Sequence, residues 1–157
     1  MQVGDKIVFD KYEWRVLDIQ GNTALIITEY IIEQRPYHDA YKDITWADCS
    51  LRKYLNDEFY ESFTAADQAR IIPVINQNLD NQWYGSKGGV DTKDSIFLLS
   101  IEEVACRYFG NSSSLLNNPK KIKDIGLNEK MKTTVSGAQD LRVWNGIPGG
   151  GFGHPVA

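Results

Sequence analysis

The chain has 157 residues, of which 42% are hydrophobic and 24% charged, and its 17 basic and 21 acidic residues give a net charge of −4. This composition is typical of one globular domain, and it excludes fibrous and largely disordered classes. The charges lack the clustered Lys and Arg of nucleic-acid-binding surfaces, and no apolar run approaches the ~20 residues of a membrane-spanning helix. We expect one domain over residues 1–157, well patterned over 3–110 and irregular over 111–157, with no nucleic-acid partner and no membrane insertion.

Three strands are predicted within the first 28 residues. They are Ile7–Phe9, Tyr12–Ile19 and Ala24–Ile27, separated by short segments that contain Asp10 and Gly21. The second strand partly alternates apolar and polar side chains, which is typical of a strand with one buried face. The pattern predicts an antiparallel meander with Trp14 and Val16 on one face.

The segment 30–43 predicts a connecting loop, because it contains Pro36 and has no sustained period. We expect Tyr37, His38 and Tyr41 to be exposed on this loop. His38 is a candidate general base, but no Ser or Cys nucleophile motif lies near it, so a solvated side chain is the simpler expectation.

A first principal helix is predicted over residues 45–63. Thr45 with Asp48 three residues later resembles a capping box, and apolar residues follow at spacings of three and four. Arg52 falls on the predicted solvent face. Thr64 is predicted to cap a short helix through Arg70, and an edge strand is predicted over 71–75 because Pro73 cannot donate a ladder hydrogen bond.

A second principal helix is predicted after a short strand over 96–99. Ser100 and Glu103 match the S-x-x-E capping box, and Gly110 is a typical helix stop. The long polar loop 76–89 lies between the two blocks. It carries Trp83 and Tyr84, which, with Asn81, are our candidate ligand-binding residues; the alternative is that the two aromatic side chains pin the loop to the core.

The metal candidates are the oxygen ligands Asp80, Asp91 and Asp94, with Asn81 beside them. Calcium prefers several carboxylate and carbonyl oxygens, although this spacing fits no EF-hand and turn formation explains Asp91 and Asp94 equally well. No other cofactor is expected. Cys49 and Cys106 lie in no CxxC or Cys/His array, so we expect reduced, buried thiols, or a disulfide if their helices touch.

Motifs of catalysis are absent from the sequence. The Gly85–Gly89 segment lacks the spacing of a phosphate-binding loop, and neither GxSxG nor HExxH occurs. We therefore expect a chain without catalytic residues.

Three collinear blocks carry a family resemblance: GDKIVFDKYEWRVLDIQGNTALIITEYIIEQRPY, ITWADCSLRKYLNDEFYESF and DTKDSIFLLSIEEVACRYF. Together they span about Val3–Phe109 and resemble a bacterial domain family of unknown function, DUF6273. The resemblance implies a distant relation to the C-type-lectin-like fold, which formylglycine-generating enzymes share. It therefore implies an α+β fold: an N-terminal β-meander and two principal helices packed on a twisted antiparallel sheet.

The C-terminal part departs from the family pattern. Members usually end with a WWLRSPG-like segment, and Leu141–Gly149 retains little of it. This departure from the family pattern implies a truncated or altered C-terminal part and hence an incomplete C-type-lectin-like fold.

Three functions remain open at this point. The first is a non-catalytic module that binds a protein or glycan ligand. The second is an enzyme related to formylglycine-generating oxidases, which use a cysteine pair and copper. The third is a truncated structural domain that forms a homo-oligomer through an unfinished sheet edge. Met1–Asp10 has no signal-peptide pattern, so the chain as written is expected in the cytoplasm, although relatives often occur in surface proteins.

Overall fold

The N-terminal strands form the predicted antiparallel meander. The structure, a computed structural model, describes residues 1–81 and 85–108. Strands β1 (Lys6–Phe9), β2 (Tyr12–Gln20) and β3 (Thr23–Thr28) pair in the order β1-β2-β3. Asp10 and Gly21 open the two hairpin turns with φ of 52° and 59°, a backbone region that suits tight hairpins. Trp14 and Val16 are both buried, as the alternation predicts.

The first helix begins later than its predicted cap. A 3₁₀ turn covers Trp46–Asp48, α1 covers Ser50–Tyr54, and a π-helical stretch covers Leu55–Phe59. Thr45 makes no side-chain cap hydrogen bond, so the capping box predicted there is wrong. Cys49 is extended, with ψ of 149°, and its Sγ accepts the cap hydrogen bond instead. The buried Trp46 is held by a tertiary hydrogen bond to Asp94, which outweighs the local capping preference.

The next elements are a short helix and a second sheet. Helix α2 covers Ala65–Gln68, strand β4 covers Val74–Asn76, and β5 covers Thr92–Asp94. Thr64 caps α2 as predicted, since its Oγ1 accepts a hydrogen bond from the Asp67 N–H at 3.2 Å. Strands β4 and β5 pair antiparallel. The predicted strand over 71–75 begins only after Pro73, and Thr92–Asp94 is a strand where the sequence predicts none.

Residues 96–99 do not form the predicted strand, and Asn56 supplies the reason. Its Oδ1 accepts hydrogen bonds from the backbone N–H groups of Ser95 and Ile96, at 2.7 and 3.2 Å. Its Nδ2 donates to the Ile96 carbonyl at 2.9 Å. These bonds satisfy the backbone groups that a sheet would otherwise pair. Ile96 and Leu99 still pack in the core, so these apolar residues anchor an irregular segment and not a strand.

The capping box at Ser100 forms as predicted. The Glu103 N–H donates to Ser100 Oγ at 3.2 Å, and the Ser100 N–H donates to Glu103 Oε2 at 2.8 Å. The helix begins at Ile101, and within it Glu103–Tyr108 is π-helical. The predicted stop at Gly110 and the region 111–157 lie outside the described residues.

Aromatic side chains join the meander to the first helix. Phe9, Trp14, Phe59 and Phe63 form one buried cluster, with the Phe9 and Phe63 ring centroids 5.8 Å apart. Such large rings contribute much of the apolar burial that stabilises a small domain. With two antiparallel sheets and short helices, the fold is α+β, as predicted. Within the described ranges, no helix is both long and apolar enough to span a membrane.

The loop before the first helix is more buried than predicted. Tyr37 is only 3% exposed and packs against Trp46, with ring centroids 6.4 Å apart, so the prediction of an exposed Tyr37 is wrong. His38 is half-buried, and its Nδ1 accepts a hydrogen bond from the Ser50 N–H at 3.2 Å. Tyr41 is exposed, as predicted. The loop thus docks on the start of the helix through Tyr37 and His38, while its other residues are exposed.

Candidate functional site

A cleft of about 300 Å³ lies between residues 75–81 and residues 98–107. One wall continues from β4 into the polar loop, and the other is the start of the C-terminal helix. The buried Trp46 also lines the cleft. Both walls present hydrogen-bonding side chains, so the cleft is suited to a polar ligand.

A buried carboxylate, Asp94, holds the β4 wall in place. The Arg52 Nε donates to its Oδ1 at 2.6 Å. Three further donors reach its Oδ2, namely Trp46 Nε1 at 2.9 Å, Asn76 Nδ2 at 2.9 Å and Thr92 Oγ1 at 2.7 Å. Asp94 is 1% exposed, so these bonds replace water around a buried charge. One side chain therefore fixes both strands of the second sheet and the start of the first helix.

The ionisation of Asp94 follows from the same contacts. Burial alone would raise its pKa, but hydrogen bonds from Thr92, Trp46, Asn76 and Arg52 outweigh burial and hold the pKa below its ordinary value. The carboxylate is thus charged at neutral pH and fully engaged by donors. Its role here is to position the wall.

The loop after β4 is cross-linked by Asn78. Its Nδ2 donates to the Val90 carbonyl at 2.7 Å and to Thr92 Oγ1 at 3.3 Å, while its N–H donates to Asp91 Oδ1 at 3.3 Å. Gly88 packs so closely here that an added Cβ would overlap the carbonyl oxygen of Asn78. The glycine is required by this close approach of two backbone segments.

The tip of the loop is held by Asp80 and Asn81. Asp80 accepts hydrogen bonds from Lys87 Nζ at 2.7 Å and from the Gly88 N–H at 3.1 Å, and these contacts lower its pKa. The Asn81 N–H donates to the Ser86 carbonyl at 2.8 Å, and the Gly85 N–H donates to the Asn81 carbonyl at 2.7 Å. Asn81 is buried and lines the cleft. The predicted ligand-binding residues Trp83 and Tyr84 lie outside the described residues.

The opposite wall carries charges that are paired locally. Glu103 is engaged by Ser100 in the capping box, and Arg107 Nη2 lies 3.6 Å from Glu102 Oε2. Together with the Asp80–Lys87 pair, this leaves Glu103 as the one charge among these groups without an opposite charge beside it. A neutral polar ligand therefore fits the cleft better than a strongly charged one.

The three predicted calcium ligands occupy different environments. Asp94 is surrounded by four donors, Asp80 pairs with Lys87, and Asp91 accepts from the Asn78 N–H. In residues 1–81 and 85–108, no three His, Cys, Asp or Glu side chains are grouped to hold a metal ion. The calcium site stays a prediction from sequence, and the donor hydrogen bonds around Asp94 explain its burial without a cation.

The thiols and the one described histidine have structural contacts. Cys49 is buried, and burial raises its thiol pKa although the Arg52 N–H donates to Sγ at 3.3 Å. A raised pKa disfavours the reactive thiolate. Cys49 and Cys106 form no disulfide, and Cys106 is only partly buried, so the prediction of a buried thiol is wrong at that position. His38 Nδ1 is engaged by the Ser50 N–H, as described above.

A second buried carboxylate, Glu29, lies on the meander. Arg15 donates to both of its oxygens, and Lys6 Nζ lies 2.9 Å from Oε1. Burial alone would raise the Glu29 pKa, but the hydrogen bonds from Arg15 and Lys6 outweigh it and lower the pKa. This cluster ties the end of β3 to β1 and β2, and its groups are not among those that line the cleft.

Sequence reasoning missed the residues that build the cleft wall. The predicted solvent face includes Arg52, but this side chain reaches Asp94 and also donates to the Ala47 carbonyl at 3.0 Å. Asn76 is an uncharged side chain in a polar stretch and carries no local signal. A buried charge needs a partner, so Asp94 and Arg52 could have been paired only once both were placed in the fold.

A comparison with known families gives a match over most of the chain. Residues 21–145 match the family described as "Domain of unknown function (DUF6273)". The match begins at Gly21, so it leaves out residues 3–20 of the expected resemblance, and it extends beyond Phe109 into the region 111–157. Searches of curated proteins and of solved structures found no match.

Proposed function

The chain belongs to the family of domains of unknown function DUF6273, and we propose that it is a non-catalytic module that binds a glycan or an uncharged peptide segment. The observation that carries the proposal is the cleft, whose β4 wall includes four amide residues, Asn76, Gln77, Asn78 and Asn81. Amides donate and accept hydrogen bonds without charge, which suits hydroxyl and peptide groups.

Rigidity of this wall supports binding. Asp94 anchors Asn76, and Asn78 cross-links its loop to Val90 and Thr92, so two amides are positioned before a ligand arrives. Preorganised groups lose less conformational entropy on binding. Gln77 is exposed beside them and supplies an amide that can turn towards a ligand.

We extend the proposed site to the aromatic pair Trp83–Tyr84 because of its position in the sequence. It follows Asn81, which lines the cleft, by two and three residues. Aromatic rings beside amides are well suited to stack on sugar rings or on peptide side chains. We include both residues in the proposed site on these grounds.

The contacts of the titratable groups favour binding over catalysis. The carboxylates at the cleft are engaged by donors or cations, and the Cys49 thiol is a buried helix cap with a raised pKa. General acid–base and nucleophilic catalysis need groups that can reach a substrate and exchange protons. A formylglycine-type oxidase is therefore the weaker alternative. Stoichiometric copper binding that depends on both Cys49 and Cys106 would favour it instead.

A relation to C-type-lectin-like domains forms part of the proposal. The α+β arrangement of two antiparallel sheets is compatible with it. Long loops on one side of such a domain would present the ligand surface, and the cleft lies beside the long loop after β4. An experimental structure with different topology would remove this part of the proposal and leave the cleft itself in place.

The test is a screen of the full chain on glycan and peptide arrays, followed by titration of any hit. Gln77→Ala and Trp83→Ala are expected to weaken binding at least about tenfold, the loss from one or two good polar or stacking contacts. Gln34→Ala is the matched control, because Gln34 is also exposed but does not line the cleft. Equal affinity of the three variants would refute the assignment of the cleft.

A further inference from the structure

Along residues 75–80, every second side chain of the cleft wall is bonded to the rest of the fold. These side chains hydrogen-bond to groups within residues 87–94 and belong to Asn76, Asn78 and Asp80. The residues between them are exposed and line the cleft, and they are Ile75, Gln77 and Leu79. The wall therefore presents one amide between two aliphatic residues to a ligand.

The described part of the cleft has aliphatic rather than aromatic surface. Ile75 is 65% and Leu79 is 64% exposed, and on the opposite wall Leu98 and Ile101 are half-buried. Trp46 is the one aromatic residue among the described residues that line the cleft, and it is only 1% exposed. A sugar ring stacks on an exposed aromatic face, whereas aliphatic side chains bury the apolar side chains of a peptide. The described lining thus favours a peptide over a glycan.

Backbone N–H groups of this wall are engaged within the chain. The Asn78 N–H donates to Asp91 Oδ1 at 3.3 Å, and the Leu79 N–H donates to the Gln77 carbonyl at 3.1 Å. These positions do not offer a strand edge to a ligand, so recognition here falls to side chains. The Gln77 amide can donate and accept hydrogen bonds, as a peptide group does.

We propose that the cleft binds an uncharged peptide in extended conformation, with apolar side chains against Ile75 and Leu79 and a backbone group bonded to Gln77. An extended peptide places every second side chain on one face, which matches the alternation of the wall. Two ion pairs at the rim are balanced within the chain, so charge complementarity favours an uncharged segment. This inference rests on the function proposed above and narrows its ligand to one class.

The test presents the full chain to a peptide array and to a glycan array. Peptide hits should share apolar residues two or four positions apart. Ile75→Ser and Leu79→Ser should each weaken a hit roughly five- to tenfold, because each removes part of an apolar contact. Ile72→Ser is the matched control, since Ile72 is 59% exposed but does not line the cleft. All three variants should melt within about 2 °C of the wild type, because the replaced side chains are exposed.

A double-mutant cycle separates direct contact from an indirect effect. Serine in place of an apolar residue of the peptide should weaken binding to the wild type roughly five- to tenfold. The same change should have little effect on binding to the variant that lacks its contact, Ile75→Ser or Leu79→Ser. Losses that simply add for every pair, or an equal loss for Ile72→Ser, would overturn the proposed contacts.

The outcomes distinguish this inference from the proposed function. Glycan hits without peptide hits would overturn the inference and leave a binding module in place. A peptide hit that Gln77→Ala weakens, but that Ile75→Ser and Leu79→Ser do not, would also overturn the inference alone. Binding to neither class would overturn both.

Discussion

Removal of the Asp94 charge tests how the cleft wall is built. Asp94→Asn keeps the size of the side chain but leaves Arg52 without its carboxylate and turns an amide N–H₂ towards existing donors. Breaking a buried ion pair from one side typically costs about 3–5 kcal/mol. The Arg52 side chain is 26% exposed, so water relieves part of the penalty, and we expect the lower end, about 3 kcal/mol of unfolding free energy.

The assay is chemical and thermal unfolding of the full chain at neutral pH. For a chain of this size each kcal/mol lowers the melting temperature by roughly 2–4 °C, so a fall of roughly 6–12 °C is expected. Asp91→Asn is the matched control, because Asp91 is exposed and accepts one hydrogen bond, from the Asn78 N–H at 3.3 Å. It makes the same change of charge and should cost less than about 0.5 kcal/mol.

The pH dependence follows from the sign of the pKa shift. The Asp94 pKa is lower in the folded chain than in the unfolded chain. Its stabilisation is therefore complete above the unfolded value of about 4, and it is lost as the pH falls through the folded value. The stability difference between wild type and Asp94→Asn should shrink below about pH 4. Glu29 is present in both proteins, so its own titration cancels in this comparison.

Two results would refute this reasoning. One is a cost for Asp94→Asn no larger than that for Asp91→Asn, which would mean that the donors around Asp94 find other partners. The other is a difference between wild type and Asp94→Asn that stays constant from neutral pH to pH values well below about 4, which would mean that the carboxylate is not preferentially charged in the folded state.

Three further predictions concern single positions. Gly88→Ala should cost about 3 kcal/mol by forcing two backbone segments apart. Gly85→Ala should cost only about 1 kcal/mol, because its φ is 70° and, apart from its chain neighbours, no atom of the described residues lies within 4 Å of the added Cβ; equal costs in urea unfolding would contradict the close approach at Gly88. Thr64→Ala should cost about 1 kcal/mol because a cap is lost, while Thr45→Ala should cost clearly less, and a reversed order would show that the caps are misassigned. Cys49 should react with a thiol reagent at least about tenfold more slowly in the folded chain than in denaturant, measured by site-resolved mass spectrometry; comparable rates would show that the thiol is accessible.

Local signals in the sequence predicted much of the framework. The hairpin turns at Asp10 and Gly21, the buried pair Trp14 and Val16, and the caps at Thr64 and Ser100 all depend on residues close together in the chain. Turn conformation, strand alternation and helix capping are short-range properties, so a sequence is enough to predict them.

Local signals in the sequence predicted only part of the candidate site. Asn81 is a predicted binding residue and lines the cleft, while Trp83 and Tyr84 remain predictions. Asp94 is a predicted metal ligand, but its surroundings are hydrogen-bond donors, among them groups from distant parts of the chain. A carboxylate in a polar stretch gives the same sequence pattern whether it binds a metal ion or accepts hydrogen bonds, because the sequence does not show which groups will surround it.

What the sequence determined by itself was the class of fold, the order of the first strands and the family. The tertiary structure decided where the first helix begins, why 96–99 is not a strand, and which side chains form the cleft. These features depend on hydrogen bonds of Trp46, Asn56 and Asp94 that span some forty residues or more in the sequence. A buried polar group must find a partner wherever the folded chain supplies one, and that partner is set by packing and not by neighbours in sequence.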